Sequence, residues 1–514
     1  MGIIKYEWIK ERKIIMACTT ILVGKNASYD GSTLVARNED SPSGQFTPKK
    51  FVVVKPDEQP RKYKSVISKV EIDLPDNPMR YTCMPNAVKD EGVWGAFGVN
   101  EKNVSMTATE TLTTNERVLA ADPLVEYVKA VGKPGEDGYV EEAFGGIGEE
   151  DMVTITLPYI NSAREGAERL GALLEKYGTY EMNGIAFQDE NEIWWLETIG
   201  GHNWMARRVP DDHYVIMPNQ LGLDHFDFED AYGEQKEFMC SKGLKDFTEK
   251  YHLDLSLDGN INPRDAYGSH SDADHTYNTP RAWILMRYFN PNSYYWDGID
   301  ADYRPESDDI PWMLIPEKKI TVEDIKYALS HHYQGTDYDC YGKHGDERQR
   351  NKFRPIGINR NNVMGLVQIR PYMPDEIKSV EWLSLGCNVF NAVVPFYSNV
   401  NDTPAYLKNT TGEPTTDDFY WTNRIVAALA DAHYADTSSH IERYQQKAGS
   451  VTARILTETD EAFLENKPAD VQEFLEKANQ KIADKLKVET DDLLAKVLYT
   501  ASCKMKNGFA RSDA

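Results

Sequence analysis

The pattern that most constrains this chain is a succession of short β-forming runs set in pairs about turns of a few residues, beginning at Cys18. Thr19, Thr20, Ile21, Leu22 and Val23 are β-formers, turn chemistry fills Gly24 to Ser32, and a second run extends from Thr33 to Ala36. Trp94 to Val99 and Val104 to Thr109 flank Asn100-Glu101-Lys102-Asn103, and Gly184 to Gln188 and Ile193 to Thr198 flank Asp189-Glu190-Asn191-Glu192. A third pair, Asn203 to Arg208 and Tyr214 to Met217, brackets Pro210-Asp211-Asp212 as a further hairpin. These runs predict a core of antiparallel sheet.

Helical patterns arrive in blocks between and after the hairpins, which favours an α+β class over a doubly wound sheet. Ala163 to Tyr177 opens on Ser162 and Glu165, spaced as a capping box, and stops at Gly178. From about Glu376 an aromatic-rich stretch gives way to helix-forming segments, Asp418 to Ala435 and Ala469 to Leu486, with Gly449 and Pro468 as breaks. The expected organisation is a leader, 1–17, a catalytic core, 18–375, and a mainly helical C-terminal region, 376–514, packed on that core.

Composition mostly excludes. With 41% hydrophobic and 11% aromatic residues the chain can bury a large core. A formal charge of −25 repels nucleic acid and anionic membrane surfaces. The six cysteines are scattered with no C-x-x-C pair, which argues against a zinc knuckle or a disulfide framework. Lys5, Lys10, Arg12 and Lys13 interrupt the first seventeen residues before they can form a signal-peptide core, and no run of about eighteen apolar residues follows. The expected compartment is the cytoplasm, and size and acidity allow a homo-oligomer.

The chemistry concentrates at Met16-Ala17-Cys18-Thr19-Thr20. A cysteine at the head of a strand, behind a short detachable leader, is where an N-terminal nucleophile sits. Once freed, its α-amine titrates near 7.7–8.0, so one residue supplies both thiol and general base. Neither a catalytic histidine nor a metal nor a cofactor is then needed. A buried free cysteine is the ordinary alternative, and it is the reading given to Cys83, Cys240, Cys387 and Cys503. Arg37-Asn38-Glu39-Asp40 follows on the second strand. A hairpin centred on its turn sets Arg37 opposite Cys18, where positive charge raises the thiolate fraction, and Asp40 offers a carboxylate to hold the new ammonium. Met16 is a second plausible start, in which case only Met16 and Ala17 need removal.

Taken together, Ala17-Cys18-Thr19-Thr20-Ile21-Leu22-Val23-Gly24, Ala27-Ser28-Tyr29-Asp30-Gly31-Ser32-Thr33 and Ala36-Arg37-Asn38-Glu39-Asp40 resemble the start of the bacterial dipeptidase A family. These are cysteine-nucleophile members of the Ntn-hydrolase superfamily, related to secernins and more distantly to bile salt hydrolases and penicillin V acylase. The likeness continues through Gly98-Val99-Asn100-Glu101-Lys102, Ala108-Thr109-Glu110-Thr111, Trp194-Trp195-Leu196-Glu197, Met217-Pro218-Asn219 and Tyr277-Asn278-Thr279-Pro280-Arg281-Ala282-Trp283. It implies an αββα sandwich, exposure of Cys18 by cleavage, and hydrolysis of dipeptides through an acyl-enzyme. Arg37 and Asp40 resemble the residues flanking the nucleophile, Asn219 an oxyanion-stabilising amide, and Arg281 a second active-site arginine.

Where the acylase relatives carry Asn or Tyr, this chain has Thr109-Glu110-Thr111. Glu110 is therefore the candidate for gripping a dipeptide's ammonium group. Its free carboxylate calls for an arginine, and Arg281 could serve there or orient the nucleophile. Two other readings stay open: an amidase or acylase on the same scaffold, and a non-catalytic secernin-like protein with Cys18 internal. His270, Asp272, Asp274 and His275 match no metal-ligand spacing and read as a polar loop near the site, while His331, His332 and His344 read as structural or surface residues.

Overall fold

The computed structural model describes residues 18–506 apart from 43, 89 and 90. The expected leader, 1–17, lies outside the described residues. Seven strands form a first antiparallel sheet in the order Met313–Leu314, Tyr214–Met217, Thr19–Val23, Thr33–Asp40, Asn361–Ile369, Ser379–Leu385 and Val394–Tyr397. A second sheet runs Phe238–Cys240, Asn203–Val209, Ile193–Ile199, Asn183–Gln188, Ser105–Thr107 and Phe97–Val99, with Glu110–Thr111 also paired to Asn183–Gln188.

Side-chain alternation along these strands stacks the layers. Leu22, Val35, Val215 and Met217 of the first sheet share one apolar cluster with Ala186, Trp195 and Met205 of the second, so the two sheets face each other. The intervening residues Ile21, Val23, Leu34 and Ala36 point the other way, onto Trp283 to Met286 of helix Thr279–Phe289 and Ile325 of helix Val322–Leu329. On the outer face of the second sheet, Ile185, Phe187, Trp194 and Leu196 meet Ala163, Ala167, Leu170 and Leu174 of helix Ala163–Tyr177. The result is the expected αββα sandwich. Helix Ala163–Tyr177 keeps its expected bounds: Ser162 accepts from the Glu165 amide and Gly178 ends the helix at φ 69°. The Glu165 carboxylate, however, reaches back to the amide of Asn161 rather than to that of Ser162.

Three expectations need correction. The first hairpin pairs Thr20 with Arg37 and Thr19 with Asn38, a register two residues away from one centred on the turn. A two-residue slip preserves side-chain parity, so Arg37 still shares the face of Cys18. Second, Asn203–Val209 and Tyr214–Met217 are not a hairpin; they belong to different sheets, and Pro210-Asp211-Asp212 is the crossing between them. The Asp211 carbonyl accepts from the amides of Asn26 and Ala27, at 2.7 and 3.1 Å, which ties this crossing to the first turn. Third, Gly449 does not break a helix. Helix Tyr434–Glu465 runs through it, because Tyr444, Ala448, Thr452 and Ile455 keep a buried stripe on either side, and that packing outweighs a glycine cost of about 1 kcal/mol. Helix Val471–Cys503 extends well past Leu486 and packs against it.

Glycine at position 365 positions the site. Gly365 pairs with Arg37 across the sheet, and a Cβ there would lie 1.8 Å from the Phe97 ring of the facing sheet. Gly365→Ala should therefore destabilise the protein by about 1–3 kcal/mol in chemical denaturation, and adding Phe97→Leu should recover part of that loss.

Candidate active site

Cys18 heads the strand Thr19–Val23 and is fully buried against Trp94. Cys18, Thr20 and Leu22 share the face toward the second sheet, because alternate residues of a strand do so. On the neighbouring strand Arg37 and Glu39 share that face. The Arg37 guanidinium lies 3.0 Å from Cys18 Sγ and donates to the Thr109 carbonyl at 2.5 Å and the Ala96 carbonyl at 3.0 Å. It also pairs with Glu149 at 2.7 Å and Glu39 at 3.2 Å, and Glu39 is shared with the buried Lys49 at 2.6 Å. The guanidinium is thus clamped between the thiol and two carboxylates. Burial works against its charge, but the fields of the carboxylates Glu149 and Glu39 win and hold it protonated.

The thiol itself goes the opposite way. Burial pushes its pKa well above the ordinary cysteine value, the Arg37 charge opposes this without overcoming it, and Glu110, Glu149 and Asp40 push it further up. With the Ala17–Cys18 peptide link intact, the sulfur is a neutral thiol at physiological pH.

Behind the nucleophile stands a second polar group. Arg281, in helix Thr279–Phe289, donates to the Cys18 carbonyl, to Thr19 Oγ1 at 2.7 Å, to Asn219 Oδ1 at 2.8 Å and to Asn278 Oδ1 at 2.7 Å. Burial, helped by nearby Arg354, lowers its pKa to about 10. Asn219 follows Tyr214–Met217, the strand paired with Thr19–Val23, and its side-chain amide donates to Glu110 Oε2 at 3.2 Å. The other oxygen of Glu110 accepts from Thr20 Oγ1 at 2.6 Å. Burial raises the Glu110 carboxyl to about 8 against the lowering effect of Arg37.

Of the residues singled out in the sequence, Cys18, Arg37, Asn219, Arg281 and Glu110 converge on one buried locus. Asp40 sits differently. It lies on the helix-facing side of its strand, where Arg354 pairs with one carboxylate oxygen and Asn361 Nδ2 donates to the other at 2.9 Å. It remains near enough to raise the thiol pKa. The polar loop containing Asp274 reaches the site through Asn278: Asp274 Oδ1 accepts from Asn278 Nδ2 at 2.6 Å, and that amide also donates to the Asn219 carbonyl. His275 pairs with Asp308.

Sequence reasoning missed Glu149, which bridges Arg37 and the Thr109 amide from the start of helix Glu149–Thr156. Its neighbours Glu150 and Asp151 make an acidic triplet that looks like a solvated helix start, yet all three are buried. Asn278 lay in a quoted motif without a role, and Lys49 carried no signal. Among the described residues, His332, Asp339 and Cys340 place three possible metal-ligand atoms within 4.8 Å of one another. Both ring nitrogens of His332 there have polar partners, Asp339 Oδ1 at 2.7 Å and the Tyr434 hydroxyl at 3.2 Å. No described helix is long and apolar enough to cross a membrane.

Two facing antiparallel sheets flanked by helices, with a cysteine heading a central strand, make an α+β sandwich of the Ntn type of fold. The sequence matches peptidase family C69 over residues 17–447, and the chain belongs to that family. It is 56% identical to a dipeptidase of Bifidobacterium longum (strain NCC 2705), over 97% of this chain and 100% of that protein. Identity is 51% to a probable dipeptidase A of Streptococcus pyogenes serotype M3, over 97% and 100% of the two chains. Against a dipeptidase A of Lactobacillus helveticus it is 44%, over 94% and 96%. The protein is a peptide-bond hydrolase.

Proposed function

We propose that this protein is a cysteine dipeptidase in which Cys18, freed by removal of the residues before it, attacks the peptide carbonyl and forms an acyl-enzyme. The observation that carries this reading is the 3.0 Å approach of the Arg37 guanidinium to Cys18 Sγ at the head of a strand. A thiol that burial keeps neutral needs a proton acceptor beside it, and the α-amine created by cleavage is on the same residue. Asp40 contributes to the field at that amine, and Arg281 orients residue 18 through its carbonyl. Asn219, held by Arg281 from behind, offers a neutral donor to the developing oxyanion. The α-amine passes the thiol's proton to the departing C-terminal amino acid as the peptide C–N bond breaks. It then takes a proton from the water that attacks the thioester and returns it to the sulfur as the N-terminal amino acid leaves.

Glu110 favours a dipeptide over an N-acyl substrate. Its carboxylate is bonded to Thr20, two residues along the strand from Cys18 and hence about 7 Å away. The ammonium nitrogen and carbonyl carbon of an amino acid are about 2.5 Å apart. A hydrogen bond at one end and an approach of about 3–3.5 Å at the other span the gap. A bound ammonium would draw Glu110 into its ionised form. The test compares Glu110→Gln with the unmodified enzyme on free dipeptides and on their N-acetyl forms. Loss of kcat/KM by about tenfold or more on free dipeptides alone is expected; equal loss on both removes this role for Glu110. The same reading places the enzyme in the cytoplasm, acting on small peptides.

A further inference from the structure

On the far side of one residue from the nucleophile lies a cavity of about 530 Å³ whose walls include Trp94, Leu112, Leu119, Leu124, Tyr127 and Met182. Trp94 is the residue packed against Cys18, and Thr111, which also lines the cavity, directly follows Glu110. The cavity is thus separated by one residue, Trp94 or Thr111, from each of the two groups that flank the substrate's first residue in the reading above. That substrate residue carries the ammonium held by Glu110 and the carbonyl attacked by Cys18, so its Cα lies between them, and Trp94 and Thr111 are the cavity walls nearest its side chain. Building on that reading, we infer that the cavity is the specificity pocket for the N-terminal side chain of the dipeptide, and that it selects large apolar side chains.

The chemistry of the walls supports the choice. Aliphatic, methionine and aromatic side chains make up eight of the fourteen lining residues, and the described lining includes no lysine, arginine or histidine that could pair with an acidic side chain. A volume of this size exceeds what alanine fills, so contact area is gained by leucine, methionine or phenylalanine.

The test measures kcat/KM on the mature enzyme for Xaa-Gly and Gly-Xaa dipeptides with Xaa as Ala, Leu, Phe and Glu. In the Xaa-Gly series, Leu and Phe should exceed Ala by about tenfold or more, and Glu should fall below Ala. The Gly-Xaa series should vary less. Leu119→Trp, which narrows the cavity, should reduce the Leu-Gly to Ala-Gly ratio by about tenfold; the ratio is internal to each preparation and does not depend on how much variant folds. A flat Xaa-Gly series, a steeper Gly-Xaa series, or an unchanged ratio in Leu119→Trp overturns the assignment. Failure of the underlying reading shows separately, as dipeptide hydrolysis that survives Cys18→Ala.

Discussion

Cys18→Ala should lower dipeptide hydrolysis by about 10⁴-fold or more, with the fold retained. The size of the effect follows from the double role of the residue. In the proposed mechanism its sulfur makes the covalent bond, and its nitrogen is the base beside that sulfur. Cys18→Ser keeps a nucleophile and an amine in place but replaces a polarizable sulfur by a hydroxyl of much higher pKa, so it should be intermediate and still strongly impaired. Because Cys18 is small and packs chiefly against Trp94, alanine costs little stability. Steady-state assay of purified, correctly folded Cys18→Ala checks the point; activity within tenfold of the unmodified enzyme is incompatible with a covalent role for this sulfur.

Arg37→Met should be severe in a second way. The guanidinium is the common partner of Glu149, Glu39, the Thr109 and Ala96 carbonyls and the Cys18 sulfur. Its removal leaves Glu149 buried opposite Glu39 with Lys49 alone to compensate. Breaking a buried pair from one side costs about 3–5 kcal/mol, so chemical denaturation should show a loss of that order. The remaining folded enzyme should be nearly inactive, because the charge that opposes burial's hold on the thiol proton is then lost. Arg37→Lys restores a charge but a single ammonium cannot serve partners on five sides, so it should recover stability better than activity. A Met variant as stable as the parent would show that the carboxylates are neutral or separately paired.

Much of this was legible because the hairpin signals are local. Turn residues and β-formers adjoin in sequence, and strands form at the expected Thr33 to Ala36, Gly184 to Gln188 and Ile193 to Thr198, the first running on to Asp40 and the others gaining one residue each. What failed was long-range. The register of the first hairpin depends on its turn being drawn toward Asp211 and Ile320, contacts made almost 200 and 300 residues away. The chain's crossing at Pro210 depends on Tyr214–Met217 finding Thr19–Val23 as a partner, which a turn motif does not reveal.

The site divides the same way. Cys18 and Arg37 were legible from their places on one hairpin, and Asn219, Arg281 and Glu110 through motifs that meet only in the fold. Glu149 was hidden because a buried carboxylate and a solvated one look alike in sequence. Its burial is stabilised by Arg37, 112 residues earlier. Glu150 likewise takes its hydrogen bonds from Ser65 and Tyr180, and Asp151 from Tyr63.

The central claim is that one residue provides both sulfur and base once the peptide bond before it is cut. Intact mass combined with N-terminal sequencing of the purified, active enzyme reads this directly. The expected result is a chain whose first residue is Cys18. Full dipeptidase activity in a preparation whose Ala17–Cys18 bond is uncleaved would contradict it.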